Sequence, residues 1–443
     1  MKYRSPGIVA LVSLAFLTLL LAGCIGPGQP VSPAGEETPA PPAGQETPVI
    51  PGAPAPAPIS ATEESVVAAN NRFAFDLYRQ LAGEEEENIF VSPFSISSAL
   101  AVTYEGARGT TAGEIREVLH FPDDITVMRE EYAEIIAGIT SRSSASTLRT
   151  ANALWAEQSY SFLPEYITTA GRFYSAEITN LDFIGKPDQS RLTINAWVEE
   201  ETGDRIRDLL PPGSIDPRTR LVITNAIYFK GTWVKQFDEK DTTDQDFRTG
   251  GGGTVQVPMM RRGDKDAVYG YAETDILQVL SMPYESDHGK ELSMLVILPK
   301  NDDLKAVEEF IDAESLSDIR KNLTSRQVIV YFPKFSLERK YFLPDTLSAM
   351  GMPTAFSRAA DFSGMDGSGN LFIDDIIHQA WVAVDEEGTE AAAATTAVVG
   401  LISSNMPEAV PVFRADHPFI FLIQDDETGN ILFMGRVADP AGG

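Results

Sequence analysis

The chain has one cysteine, Cys24, and four histidines, His120, His288, His378 and His417, in 443 residues. One cysteine excludes an internal disulfide. Because it stands close to the N-terminus, it also leaves the rest of the chain without a thiol nucleophile. None of the histidines stands in an HExxH or related zinc spacing. There is no P-loop and no G-x-S-x-G nucleophile elbow. A glycine-rich run, GMDGSGN at 364–370, has no helical pattern after it and reads as a turn rather than a phosphate cradle. With 64 Asp and Glu, paired carboxylates carry no information. No catalytic constellation stands out, so neither enzyme activity, cofactor nor metal is expected. Cations are scarce too: 35 Lys and Arg leave a formal charge of −29. So acidic a surface argues against nucleic acid and other polyanions as partners. It suits equally a surface solvated in a salty medium.

The first 60 residues differ from the rest. Lys2 and Arg4 precede an apolar stretch from Ile8 to Ala22, followed by Gly23 and Cys24. A charged start, a short apolar run and a small-residue cleavage site predict an export signal over residues 1–23. The ending LAGC resembles a prokaryotic lipobox, which implies lipidation of Cys24. An uncleaved membrane anchor and an ordinary signal peptide are the alternatives. Without Lys2 and Arg4 the formal charge falls to −31. Residues 24–60 are Pro, Ala, Gly, Glu and Thr with almost no large apolar side chain, a tether unable to bury a core. The expected location is outside the cell, with membrane contact only through the lipid.

Residues 61–443 have the composition of a globular domain. Ser60 and Glu63 have capping-box spacing, and Val66, Ala69, Phe73, Leu77 and Leu81 follow at helical intervals. Ser92-Pro93 can cap and start a second helix. Thr111 and Glu114 offer another capping box before Ile115, Val118 and Leu119. Further on, LVITNAIYFKGTW, LSMLVILP, VIVYFPKF, LFIDDIIHQAWVAVDEE, PFIFLI and ILFMG read as strands, the last two joined by a DDETGN hairpin turn at 425–430. Helices dominate the first half and strands the second, and no repeat is evident. The class is α+β with large, mostly antiparallel sheets.

Several long stretches, in order, resemble the serpin family: NIFVSPFSISSALAVTYEGARGTTAGEI, TANALWAE, INAWVEEETGDRI, LVITNAIYFKGTWVKQF, FPKFSL, FIDDIIHQAWVAVDEEGTEAAAAT and DHPFIFLI. The resemblance runs from about Ser65 to Pro440. Two small departures, Thr202 before the Gly of ETGDRI where the family usually has Asn, and Phe362 in DFSGM where it usually has Leu, touch no chemistry. The resemblance implies a serpin-like fold of three β-sheets and about nine helices, with an exposed reactive loop from Glu386 onward. It implies an inhibitor of serine proteases: the target cleaves the loop, which then inserts as a strand in the central sheet and carries the acylated protease with it. It assigns Glu386, Glu387, Gly388, Thr389, Glu390, Ala391, Ala392, Ala393, Ala394 and Thr395 to the hinge. Ser92, Ser95, Asn225 and His378 match the shutter below the point where the sheet opens. Trp233 matches the breach, where the loop enters.

The loop's own letters fit that future. In a strand, alternate side chains share a face. If Thr389 points inward, so do Ala391, Ala393, Thr395, Ala397 and Val399, all small or medium and uncharged, while Glu390 falls on the other face. No proline lies between Glu386 and Leu401, so every residue can donate to a ladder. The alanines favour helix and the β-branched Thr395, Thr396, Val398 and Val399 favour strand. Such a stretch suits a mobile loop that later becomes a strand.

In this mechanism the serine belongs to the target. Counting from Glu386 in the manner of the family, the scissile bond is Ile402–Ser403, with Leu401 as a neighbouring candidate. No Arg or Lys lies between Glu386 and Ala409. The expected targets therefore have apolar pockets: elastase-, chymotrypsin- or subtilisin-like serine proteases. No basic cluster occupies residues 122–149, so no heparin-type polyanion is expected, and the protein should act as a monomer. The alternatives are a non-inhibitory serpin acting as a binding or chaperone-like surface protein and, from another class, a solute-capturing lipoprotein.

Overall fold

Ser65 opens the first helix by accepting a hydrogen bond from the Ala68 N–H at 3.1 Å. The cap is therefore five residues beyond the expected one at Ser60, and the helix starts at Val66. The computed structural model describes residues 65–140, 146–286, 292–389 and 409–442. The expected export signal and tether, Cys24, Glu390 to Thr395, Leu401, Ile402 and Ser403 lie outside the described residues.

Ten helices occur among the described residues: α1 (Val66–Glu84), α2 (Pro93–Gly106), α3 (Gly109–Val118), α4 (Ile125–Thr140), α5 (Pro164–Tyr174), α6 (Pro187–Glu201), α7 (Leu304–Phe310), α8 (Ala313–Lys321), α9 (Pro344–Met350) and the single turn α10 (Ser363–Asp366). The strands are β1 (Ile89–Val91), β2 (Ser146–Glu157), β3 (Glu177–Leu181), β4 (Leu221–Thr232), β5 (Thr243–Arg248), β6 (Thr254–Arg262), β7 (Val268–Glu273), β8 (Leu277–Pro283), β9 (Leu292–Pro299), β10 (Thr324–Gln327), β11 (Ile329–Pro333), β12 (Phe335–Phe342), β13 (Asp375–Val384), β14 (Gly388–Thr389), β15 (Val412–Arg414), β16 (Phe419–Asp425) and β17 (Ile431–Val437). The expected strands and the hairpin turn at 425–430 are all present.

Three sheets result. An antiparallel one runs β1-β17-β16-β9-β8-β7-β10, and a smaller one runs β15-β11-β6-β5. The third, β12-β13-β4-β2-β3, is mixed. Between the first and third lies α2, buried on nearly every face. A helix apolar all round belongs in a core, which explains its poor amphipathic pattern. Its start is as expected: Ser92 accepts from Ser95 N–H, with Pro93 in the first turn. The capping box expected at Thr111 does not form. The helix begins earlier, at Gly109, and both side chains serve other segments. Thr111 accepts from the Asp361 N–H, and Glu114 accepts from the N–H and hydroxyl of Thr354. Tertiary partners outcompete the local cap.

In the third sheet β4 is antiparallel to β2 along almost its whole length but parallel to β13, from Asp375–Val222 to Trp381–Tyr228. Parallel pairing is slightly weaker per residue than antiparallel. The sheet thus has a seam. Beyond Trp381 the two strands no longer pair, and there β14 enters, antiparallel to β4, with Gly388 opposite Thr232 and Thr389 opposite Gly231.

Candidate functional site

At the mouth of the seam the chain after β13 is pinned from several sides. The Trp233 N–H donates to the Glu387 carbonyl at 2.8 Å, its indole N–H to the Asp385 carbonyl at 3.1 Å, and the Phe237 N–H to the Glu386 carbonyl at 2.8 Å. The Trp233 ring stacks on Tyr284, centroids 4.4 Å apart. The Glu386 carboxylate is almost fully covered and accepts from Lys334 Nζ at 2.6 Å and from the Thr242 hydroxyl at 2.7 Å. Burial pushes that carboxyl up, but these two donors outweigh it and hold it below the ordinary range. Gly388 is required here by close approach: a Cβ would sit 2.1 Å from the Gly231 carbonyl oxygen. Thr389 is fully buried, its hydroxyl 2.9 Å from that of Tyr284. It points inward, the parity on which the small-faced reading of the loop depends.

Lower in the seam, Ser92, Ser95, Asn225 and His378 form one hydrogen-bonded cluster. His378 and Asn225 are cross-strand partners in the parallel pair. The Ser92 N–H donates to His378 Nε2 at 3.1 Å. That fixes the tautomer: Nδ1 carries the proton and donates to Asn225 Oδ1. Asn225 Nδ2 donates to the Ser95 hydroxyl at 2.7 Å and to Asn152 Oδ1 at 2.6 Å, and Ser92 Oγ donates to the Leu432 carbonyl at 2.7 Å. Asn152 Nδ2 continues the chain to Ser98 Oγ at 3.0 Å. Burial drives the imidazole pKa down to about 3, so His378 is neutral at ordinary pH. A second ring proton would face the Ser92 donor.

The shutter and breach candidates named from sequence are therefore brought together, in two groups along one seam, with Glu386 to Thr389 in the upper one. Sequence reasoning missed four participants. Asn152 and Lys334 sit inside the diagnostic stretches TANALWAE and FPKFSL, where a polar residue in an apolar run was the available signal. Thr242 and Tyr284 lie outside those stretches and had none. Among the described residues no nucleophile–base pair accompanies them. What the arrangement can do chemically is hold two strands together through replaceable polar contacts.

The family described as Serpin (serine protease inhibitor) matches residues 68–440. An uncharacterized serpin-like protein of Thermococcus kodakarensis is 45% identical over 383 residues, covering 86% of this chain and 87% of its own length. Leukocyte elastase inhibitor A of Rattus norvegicus is 42% identical over 386 residues, covering 85% of this chain and all of its own. Among solved structures, uncleaved ovalbumin superposes with a TM-score of 0.75 at 32% identity, over 85% of this chain and 100% of ovalbumin. Human thyroxine-binding globulin, in complex with thyroxine, gives 0.76 at 30% identity, over 85% of this chain and 98% of its own. The chain belongs to the serpin family.

Proposed function

We propose that this serpin inhibits serine proteases as a suicide substrate. The carrying observation is the pair Gly388–Thr232 and Thr389–Gly231: the hinge already forms the first two residues of a strand antiparallel to β4. Because β4 and β13 are parallel, a strand entering between them is antiparallel to both. Insertion thus exchanges one parallel pairing for two antiparallel ones. Gly388 to Val399 matches in length the 12 residues of β4.

The target's serine attacks the carbonyl of Ile402, releases Ser403 as the new amine terminus and remains esterified. Glu386 to Thr389 form the hinge, Trp233 and Lys334 hold it at the breach, and Ser92, Ser95, Asn225 and His378 form the shutter that parts below. The absence of Lys and Arg from the loop favours elastase-, chymotrypsin- or subtilisin-like targets, and the resemblance to leukocyte elastase inhibitors points the same way.

A second reading, a carrier or binding protein, draws on the likeness to thyroxine-binding globulin. It gives no reason for a proline-free, small-faced hinge. One gel separates the two. An inhibitor incubated with pancreatic elastase gives a detergent-stable complex of summed mass; a carrier gives none. Residues 1–60 further support an exported protein anchored through lipid on Cys24. Cys24→Ser should abolish membrane association and the lipid mass on the mature N-terminus.

A further inference from the structure

At the far end of the seam, below Leu221, lies an open cavity of about 720 Å³ lined by Arg218, Arg220 and Arg358. Its lining carboxylates are Asp216 and Asp374. Asp216 is engaged by Arg218 at 2.7 Å, and Asp374 Oδ2 is taken by the backbone N–H groups of Arg220 and Leu221. Arg220 spends one nitrogen on the Pro217 and Thr219 carbonyls. Arg358 is exposed and has no side-chain hydrogen bond or ion pair among the described residues. Three guanidinium groups against two occupied carboxylates give a cationic spot on a chain of net charge −29.

The register at the other end says what reaches this spot. Gly388 opposes Thr232 and Thr389 opposes Gly231. Continued down β4, the same register would pair Val399 with Leu221, the first residue of that strand in chain order. Ile402 would then fall three residues past that end of the strand, about 10 Å on at a strand's rise per residue, where Arg218 to Arg220 begin the cavity wall.

We infer that the arginine-lined cavity is the receiving site for the α-carboxylate that cleavage creates on Ile402. Water added across the Ile402–Ser403 bond leaves a carboxylate on one side and an amine on the other. The carboxylate is a planar anion of the kind guanidinium forks bind, and it exists only after the loop has been cut. The site thus favours the cleaved, inserted form over the intact one. The inference rests on the proposed insertion.

The test uses the full chain, cut by elastase, with mass spectrometry locating the bond. A carboxypeptidase that removes apolar C-terminal residues is then added. In the wild type Ile402 should be retained. In Arg218→Ala/Arg358→Ala, Ile402 and Leu401 should be released on the order of tenfold faster or more, with trimming halted near Val399. Arg358 has no described partner and Arg218 has a surface one, so an unchanged melting temperature of the intact variant serves as its folding control. Equal trimming in both proteins, or equal resistance, overturns the receiving site. Trimming of the wild type back into the alanine run, with no gain in heat stability on cleavage, overturns insertion itself and is thereby distinguishable.

Discussion

His378 donates its Nδ1 proton to Asn225 Oδ1 across the only parallel seam that β4 makes among the described residues, and the two are direct cross-strand partners. A strand entering that seam must break this bond. If the register of Gly388 and Thr389 on β4 continued on insertion, Thr395 would come opposite Asn225, on the face shared with Thr389. Its hydroxyl can then accept from one of the separated partners and donate to the other. Thr395→Val keeps the shape and removes that capacity. It should leave the intact melting point unchanged and lower that of the cleaved form by several degrees. A buried group left unsatisfied costs about 1–3 kcal/mol, and 1 kcal/mol moves a large domain by roughly 2–4 °C. Paired thermal melts of intact and cleaved protein check this.

Thr389→Arg should convert inhibitor to substrate. Thr389 is fully buried against Tyr284. An Arg there must be buried without a counter-ion or hold the strand out, and a lone buried charge costs several kcal/mol. Slower insertion lets the acyl-enzyme hydrolyse first. Cleavage at the same bond should persist while the stable complex disappears and the stoichiometry of inhibition climbs. Unchanged stoichiometry contradicts insertion at this hinge.

His378 predicts an acid sensitivity with a definite sign. Its folded pKa, near 3, lies below the ordinary 6.5. On acidification the unfolded chain takes up a proton that the folded one refuses. Stability is therefore lost as pH falls from about 6.5 toward 3, by roughly 3 kcal/mol at pH 4.5 for a two-unit interval. Asp375 opposes this. Burial lifts its carboxyl to about 6, so its protonation in the folded state restores stability between about 6 and 4. The signature is thus a difference between proteins. Between pH 7 and 4.5, wild type should lose more melting temperature, relative to its neutral value, than His378→Gln, although the variant starts lower. Parallel curves contradict the assigned tautomer and burial.

Much of this was legible in the sequence, and the limits have physical causes. The strands were plain because β4, β13, β16 and β17 are long apolar runs bounded by turn residues, and α1 because its apolar residues recur at helical spacing. The start of α1 and the Thr111 box were misplaced because capping is a local signal, and tertiary partners claimed Thr111 and Glu114. The polar cluster of Ser92, Ser95, Asn225 and His378 was legible only through resemblance, since polar side chains in buried strands have no spacing of their own. Tyr284 and Thr242 escaped because their roles exist only once β14 folds back onto β4. Pairing between segments distant in sequence is what local patterns do not encode.

The measurement that tests the account most directly is the melting temperature of the protein cut once within residues 400–404 against that of the intact protein. An ordinary nicked loop gains freedom and leaves the fold no stronger. In the proposed mechanism the freed segment from Gly388 to Val399 would become a strand with a ladder on both sides and a small inward face. At about 1 kcal/mol net per hydrogen bond, a dozen residues would contribute on the order of 10 kcal/mol, with the intact form kinetically held above that minimum. The account predicts a rise of tens of degrees on cleavage. A cleaved form that melts at or below the intact one would contradict it, leaving a serpin fold without a protease trap.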